Sequence, residues 1–262
     1  MRLSMVCALV ITGCGFESVA RPGDRPDSST DGGSSFGASC DATDPSLRLC
    51  LTFDRDPMVQ DLSSLAHQVT EATAVGRALR AGSPAAQLDA SSRIRIAESS
   101  DLDLSELTFD MWILPAPIAP SGSYGLLDNH AQYNASYQPT GQIRCGTGSD
   151  VVDSSIAVAD GQWHHVACTY RGRTMRVYVD GTLAGCGMLR SAVPTLGSDG
   201  LAIGASFGST GYQSTYVGAM DSVHVFAREL APAEVCSAAG KTGCSAKCPS
   251  GGGPGGGGPG GD

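Results

Sequence analysis

Along the middle of the chain apolar and polar positions alternate with a period of two, the mark of extended segments with one buried face. The pattern is densest between Trp163 and Val179. Val166, Cys168 and Tyr170 form one row of an outgoing segment, and Trp163, His165, Ala167 and Thr169 form the other. Neither row is strongly polar, which predicts a central strand covered on both sides. Arg171-Gly172-Arg173 offers a bend. On the return Val177 and Val179 share one face, while Arg176 and Tyr178 share the opposite one. Asp180-Gly181 then marks a second tight turn. These residues make a hairpin, and the rest of the chain is organised around it.

Other segments carry the same period. Leu49, Leu51 and Phe53 alternate with Cys50, Thr52 and Asp54, and Ile94 and Ile96 point inward between Arg93 and Arg95. Phe109, Met111 and Ile113 line one face of 107–114, with Asp110 and Trp112 on the other. Pro115 and Pro117 end pairing there. Shorter strands are predicted at 124–127, 142–145, 154–158, 201–205 and 216–226, with irregular structure and short strands between 61 and 92. Pro232 suits the first turn of a short helix over 231–238. Many short strands, frequent Gly, Asp and Pro turns and one helix predict an all-β, antiparallel sandwich.

The ends read differently. Met1-Arg2 and the apolar run from Leu3 to Ile11 are too short for a membrane span and read as a signal peptide over 1–14. Residues 15–39 are rich in Ser, Gly, Asp and Pro and predict a flexible linker about 25–30 Å across on average. The folded domain is expected over 40–240, followed by a disordered Cys- and Gly/Pro-rich tail over 241–262.

Several stretches resemble, in order, the LamG-like jelly-roll of the concanavalin A-like lectin/glucanase superfamily. Gly161-Gln162-Trp163-His164-His165-Val166-Ala167 with Tyr178-Val179-Asp180-Gly181 is its most telling piece. Leu51 to Asp54, Gly76 to Leu79, Leu107 to Trp112, Leu201 to Gly204, Gly218 to Phe226 and Leu230 to Val235 match further elements, so the resemblance spans Leu47 to Cys236. It implies a jelly-roll β-sandwich. It also implies a structural calcium near the first and last strands, for which Asp54 and Asp221 are the candidate ligands. The alternation puts Asp221 on the apolar face beside Val223 and Val225, where a carboxylate needs a cation or hydrogen bonds; capping of nearby amides is the other reading. Ile11-Thr12-Gly13-Cys14 resembles a bacterial lipobox, which makes Cys14 the lipidation site of a chain anchored in the cell envelope, at the outer membrane or cell surface. An ordinary secretory signal with an incidental Cys14 is the alternative.

Composition narrows the partners. A net charge of −9 over 262 residues, without a basic cluster, excludes a nucleic-acid-wrapping role. Of ten cysteines, setting aside Cys7 in the leader and Cys14 leaves eight, an even number suited to disulfides in an exported domain. Cys40 and Cys50, the trio Cys145, Cys168 and Cys186, and the trio Cys236, Cys244 and Cys248 allow roughly a hundred pairings. Proximity favours Cys40 with Cys50, one pair inside each trio and one bond between the trios.

Catalysis finds little support in the residues. Glu106 and Asp110 are four apart, about 13 Å on a strand, too far for a glycosidase pair. His164 and His165 point to opposite faces; His164 is expected to bond backbone at the core edge, and His165 to lie half-exposed beside Trp163. Ser222 and His224 share a face, a spacing common by chance. Aromatics and polar groups in or near predicted loops are better candidates for sugar contact: Tyr124, Asp128, Asn129, His130 and Tyr133 first, then Tyr137, Tyr212 and Tyr216. The expectation is a monomeric, non-catalytic module for carbohydrate or a cell-surface protein, touching membrane only through its lipid. A glycan hydrolase with an unrecognised site and a structural envelope domain are the alternatives.

Overall fold

The computed structural model describes residues 40–117, 122–130, 132–148, 150–194, 199–208 and 211–249. The leader, Cys14, the linker over 15–39 and the Gly/Pro end of the tail lie outside them. The strands are β1 (Leu47–Leu51), β2 (Val69–Thr73), β3 (Gly76–Arg80), β4 (Ser83–Leu88), β5 (Arg93–Ile96) and β6 (Leu107–Pro115). Next come β7 (Tyr124–Asp128), β8 (Asn134–Tyr137), β9 (Gln142–Thr147), β10 (Asp150–Ala157), β11 (His164–Arg171) and β12 (Thr174–Val179). The last are β13 (Thr182–Met188), β14 (Leu201–Ile203), β15 (Ser206–Gly208), β16 (Gly211–Gln213) and β17 (Gly218–Phe226), before helix α1 (Pro232–Ala238).

Two antiparallel sheets face each other. The first runs β13-β12-β11-β6-β17-β4-β3, with β1 also on β17, and the second runs β10-β9-β8-β7-β14-β5-β2. As the alternation predicts, β11 is central, pairing β12 through Val166–Val179 and Cys168–Val177, and β6 through Val166–Met111 and Cys168–Phe109. These inward rows meet Ile94, Ile96, Leu126, Ile143 and Leu201 of the second sheet, with Tyr133 just before β8, in one buried core.

The first sheet is covered on its other face as well. Ala167, Tyr178 and Leu183 on that side pack with Leu230 and with Val235 of α1. The segment after α1, expected to be free, is strapped down as far as Pro249. Cys236 bonds Cys244, Cys186 on β13 bonds Cys248, and the Leu183 amide donates to the Ser245 carbonyl at 2.8 Å. The turn at Gly181 makes room for this: with φ of 75°, a Cβ there would lie 2.7 Å from the Cys244 sulfur. The other bonds are Cys40–Cys50 and Cys145–Cys168, so the one-between-trios scheme is the one present. Cys145–Cys168 joins β9 to β11 through the core.

Some strands were not predicted, and two expectations are corrected. Asn134 to Tyr137 and Thr182 to Met188 are strands although neither is rich in β-branched residues; each is held by ladders to its neighbours, a tertiary contribution that outweighs weak local preference. His165 is fully buried, not half-exposed, and packs against Trp112 with ring centroids 5.4 Å apart. Asp221 does not face the apolar core. A bulge at Ser222 (φ 50°) puts an extra residue between the Asp221–Trp112 and His224–Asp110 pairs, and this returns Asp221 to the outer row with Trp112.

Removing the cross-sheet bond with Cys145→Ala/Cys168→Ala should cost about 3 kcal/mol, because its 23-residue loop would regain freedom when unfolded. Chemical denaturation reads this directly. A loss below about 1 kcal/mol would mean that the sheets are held by packing alone.

Candidate functional site

The exposed groups best suited to recognition lie on the outer face of the second sheet. Because Ile94 and Ile96 turn inward, Arg93 and Arg95 turn outward. Cross-strand pairing sets Glu71, Arg95, Ala202, Asp128 and Asn134 in one row. Ala202 leaves low ground in the middle of that row. The β15–β16 hairpin folds back toward β7, where the Gly125 amide donates to the Ser214 carbonyl at 2.6 Å. A Cβ on Gly125 would lie 2.3 Å from the Ala205 carbonyl carbon, so only glycine admits the hairpin so closely.

The hairpin delivers two aromatic rings to the arginines. The Arg95 guanidinium lies 4.8 Å over Phe207, that of Arg93 lies 5.1 Å over Tyr212, and the two rings are 5.3 Å apart. Arg95 Nε donates to the Asp199 carbonyl at 2.7 Å, and the Asp199 carboxylate sits 3.2 Å from His130 Nδ1. Arg93 also reaches the Thr215 hydroxyl at 3.1 Å. Arg95, Asp199 and His130 keep 34%, 42% and 42% of their side-chain surface exposed, enough to offer donors and acceptors to a ligand.

Beneath this surface lies Asp128. One carboxylate oxygen accepts the Phe207 amide at 2.7 Å; the other is buried without a partner among the described residues. Burial pushes its carboxyl up to about 6, against the opposing pull of the Phe207 amide and of His130. Burial and the nearby Glu71 carboxylate likewise push the Tyr212 phenol up to about 12, although its hydroxyl lies at hydrogen-bonding geometry to no group among the described residues.

Of the residues singled out from sequence, Asp128, His130 and Tyr212 meet at this surface. Asn129 and Tyr133 are buried, and both donate to the Leu102 carbonyl, at 3.0 and 2.9 Å. Tyr124 packs half-buried on the core, while Tyr137 and Tyr216 meet edge to face inside it. Sequence reading missed Arg93, Arg95, Asp199 and Phe207 as a group. The Arg-Ile-Arg-Ile alternation exposes the arginines, but nothing local links them to a hairpin more than a hundred positions later.

The outer face of the first sheet holds buried charges that serve the fold. Arg80 Nε lies 2.6 Å from the Asp221 carboxylate, its guanidinium 4.6 Å over Trp112. Burial nevertheless leaves the Asp221 carboxyl raised, with Arg80 opposing the shift. Asp54 is exposed and takes a hydrogen bond from Ser83 at 2.9 Å. These residues do not fit calcium: the guanidinium occupies the side of Asp221 that a dication would need, and two carboxylates fall far short of six to eight oxygens. Asp110 accepts from His224 Nδ1 at 2.8 Å. Burial would raise this carboxyl, but His224 and His165 outweigh it and hold it well below the usual range. Ser222 bonds Arg80 instead of His224, and Glu106 lies on the surface near Arg171, so neither forms a reacting pair. His164 is clamped between the carboxylates of Asp180 at 3.0 Å and Asp160 at 2.8 Å, not by backbone, and the Asp180 bond raises it against burial. A cavity of about 170 Å³ at the end of β6, between Pro115, Tyr137 and Gly141, offers few polar groups.

A family model described as the concanavalin A-like lectin/glucanases superfamily matches residues 88–236. Among curated protein sequences none matches this chain. Solved structures do. Domain 4 of an extracellular arabinanase from Geobacillus stearothermophilus, in complex with arabinotriose, is 19% identical with a TM-score of 0.60, over 74% of this chain and 98% of that one. The binding domain of Paraclostridial Mosquitocidal Protein 1 is 14% identical with a TM-score of 0.60, over 74% and 52%. The binding domain of botulinum neurotoxin DC, in complex with SialylT, is 12% identical with a TM-score of 0.57, over 75% and 51%. The chain thus spans about half of each toxin domain, and at these identities the likeness is one of fold.

Asp128 has a testable signature. Its folded pKa of about 6 lies above the ordinary 3.8, so the folded state binds the proton more tightly and stability falls as pH rises between those values. Asp128→Asn, which keeps an acceptor for Phe207, should therefore stabilise the protein at pH 8 by on the order of 2 kcal/mol and by nothing below pH ~4. Melting curves at the two pH values decide it; a gain that is the same at both would exclude ionisation as its source.

Proposed function

The chain belongs to the concanavalin A-like lectin/glucanase superfamily, and from that membership we propose that it is a non-catalytic module that binds oligosaccharides on the outer face of its second sheet. The observation that carries this reading is the ladder of Arg95, Phe207, Tyr212 and Arg93 beside the exposed Asp199 and His130. Aromatic rings take the apolar C–H face of a sugar, while a guanidinium already oriented by Asp199 and a nearby carboxylate bond its hydroxyls. The arabinotriose bound to the arabinanase domain supports a carbohydrate ligand.

Binding without hydrolysis fits the position of the acids. Asp128 has the raised pKa of a general acid, but it is buried beneath the hairpin, where a glycosidic oxygen cannot reach it. Recognition of a surface protein by the same ladder is the second reading; a screen of immobilised glycans, run with and without calcium, separates the two. One class of glycan should bind, and Phe207→Ala or Arg95→Ala should weaken it about tenfold, with Met188→Ala, on a distant edge, leaving it unchanged. A blank array, or binding indifferent to both ladder substitutions, rules the reading out.

The module is exported in this reading and held to the bacterial envelope by an acyl chain on Cys14. The four disulfides support an oxidising compartment. Expression in a bacterial host with labelled palmitate should label the wild type and not Cys14→Ser. An unlabelled wild type recovered from the medium would instead favour plain secretion.

A further inference from the structure

A corner of the first sheet brings together three groups that the binding surface does not use. Cys50 on β1 is the cross-strand neighbour of His224 on β17, which in turn neighbours Asp110 on β6, so the three share the outer row. Cys40 joins them through its bond to Cys50. The sulfurs of Cys40 and Cys50 and a ring nitrogen of His224 all lie within 4.8 Å of one another.

The histidine is what distinguishes this corner from an ordinary disulfide. His224 is 1% exposed, and its Nδ1 is taken by the Asp110 carboxylate at 2.8 Å. Its Nε2 is buried with no hydrogen-bond partner among the described residues. A buried polar atom left unpaired is costly, and nothing in the folding of this sheet requires one here. In the neutral ring, donation from Nδ1 to Asp110 leaves the lone pair on Nε2. A carboxylate behind one nitrogen with the other nitrogen free is the arrangement that orients histidine toward a metal.

We infer that in the dithiol form of the protein Cys40, Cys50 and His224 bind a thiophilic divalent ion such as zinc, and that the Cys40–Cys50 disulfide closes this site. Zinc with Zn–S of about 2.3 Å and Zn–N of about 2.0 Å holds its ligand atoms roughly 3.5–3.8 Å apart, inside the span present here. Cys40 is half-buried where the other two are covered, so the fourth position opens to solvent and takes water. The chemistry balances with a phosphine as reductant. The sulfur–sulfur bond breaks, two electrons pass from phosphorus to the pair, water supplies two protons, and its oxygen ends on phosphorus. The ion then replaces both thiol protons, which leave to solvent.

Cobalt(II) reports the site by its colour. The full chain, reduced with a phosphine, should bind one equivalent with a thiolate-to-cobalt charge-transfer band and the strong visible bands of a tetrahedral centre; the oxidised chain should show neither. Cys40→Ser, which leaves six other disulfide cysteines in place, should lose the bands. Asp110→Asn should weaken binding about ten- to a hundredfold, the usual effect of removing the group behind a metal-binding histidine. Bands that survive in Cys40→Ser would assign the ion to other thiols and overturn the proposal. So would a reduced chain that keeps its β-sheet circular dichroism and binds no cobalt, or one that has unfolded, because the site requires the folded dithiol.

Discussion

A sheet that is covered on both faces leaves water no access to its polar side chains, and every charge in its outer rows must then find a partner within the protein. The first sheet is built under that constraint. Its inward rows join the core, while α1 and the cross-linked segment after it cover β11 to β13 from outside. Asp110 on β6 and Asp221 on β17 are buried as well, and His224 and Arg80 answer them at 2.8 and 2.6 Å. Where such a partner were truncated, the remaining charge would be stranded, which is far more damaging than the pair is stabilising.

The same constraint explains where the disulfides fall. Cys145–Cys168 crosses the core between the sheets, and Cys186–Cys248 and Cys236–Cys244 hold the outer cover in place. The clamp of His164 by Asp160 and Asp180 is a weaker device of the same kind, with Lys241 of the cover 3.6 Å from Asp180. Because the folded His164 pKa lies above its ordinary 6.5, its contribution is complete below that value and lost as pH rises through the folded pKa.

The second sheet escapes the constraint on its outer face, and in the proposed reading that difference serves binding. Among the described residues a short hairpin lies over it, and Arg93, Arg95 and His130 keep solvent contact while the aromatic rings stay fixed by stacking. Rigid rings with accessible donors lower the ordering cost of binding a flexible ligand such as an oligosaccharide. In the proposed reading, one chain thus carries a sheet sealed for stability and another left open for contact.

Alternation alone told much of this. The hairpin from His164 to Val179, the inward set of Phe109, Met111 and Ile113, the helix at Pro232 and the grouping of cysteines follow from local pattern, because side-chain direction in a strand is fixed by position parity. Parity fails at a bulge, which is why the direction of Asp221 was illegible: the φ of 50° at Ser222 comes from fitting β17 between β6, β4 and β1, not from its own sequence. Asn134 to Tyr137 and Thr182 to Met188 became strands through the ladders of adjacent hairpins, with β7 and β9 for the first and β12 for the second. Asp128 and His130 could be chosen as polar loop residues, but only folding sets them beside Phe207, because contacts across a hundred residues depend on strand order and no short-range preference encodes that.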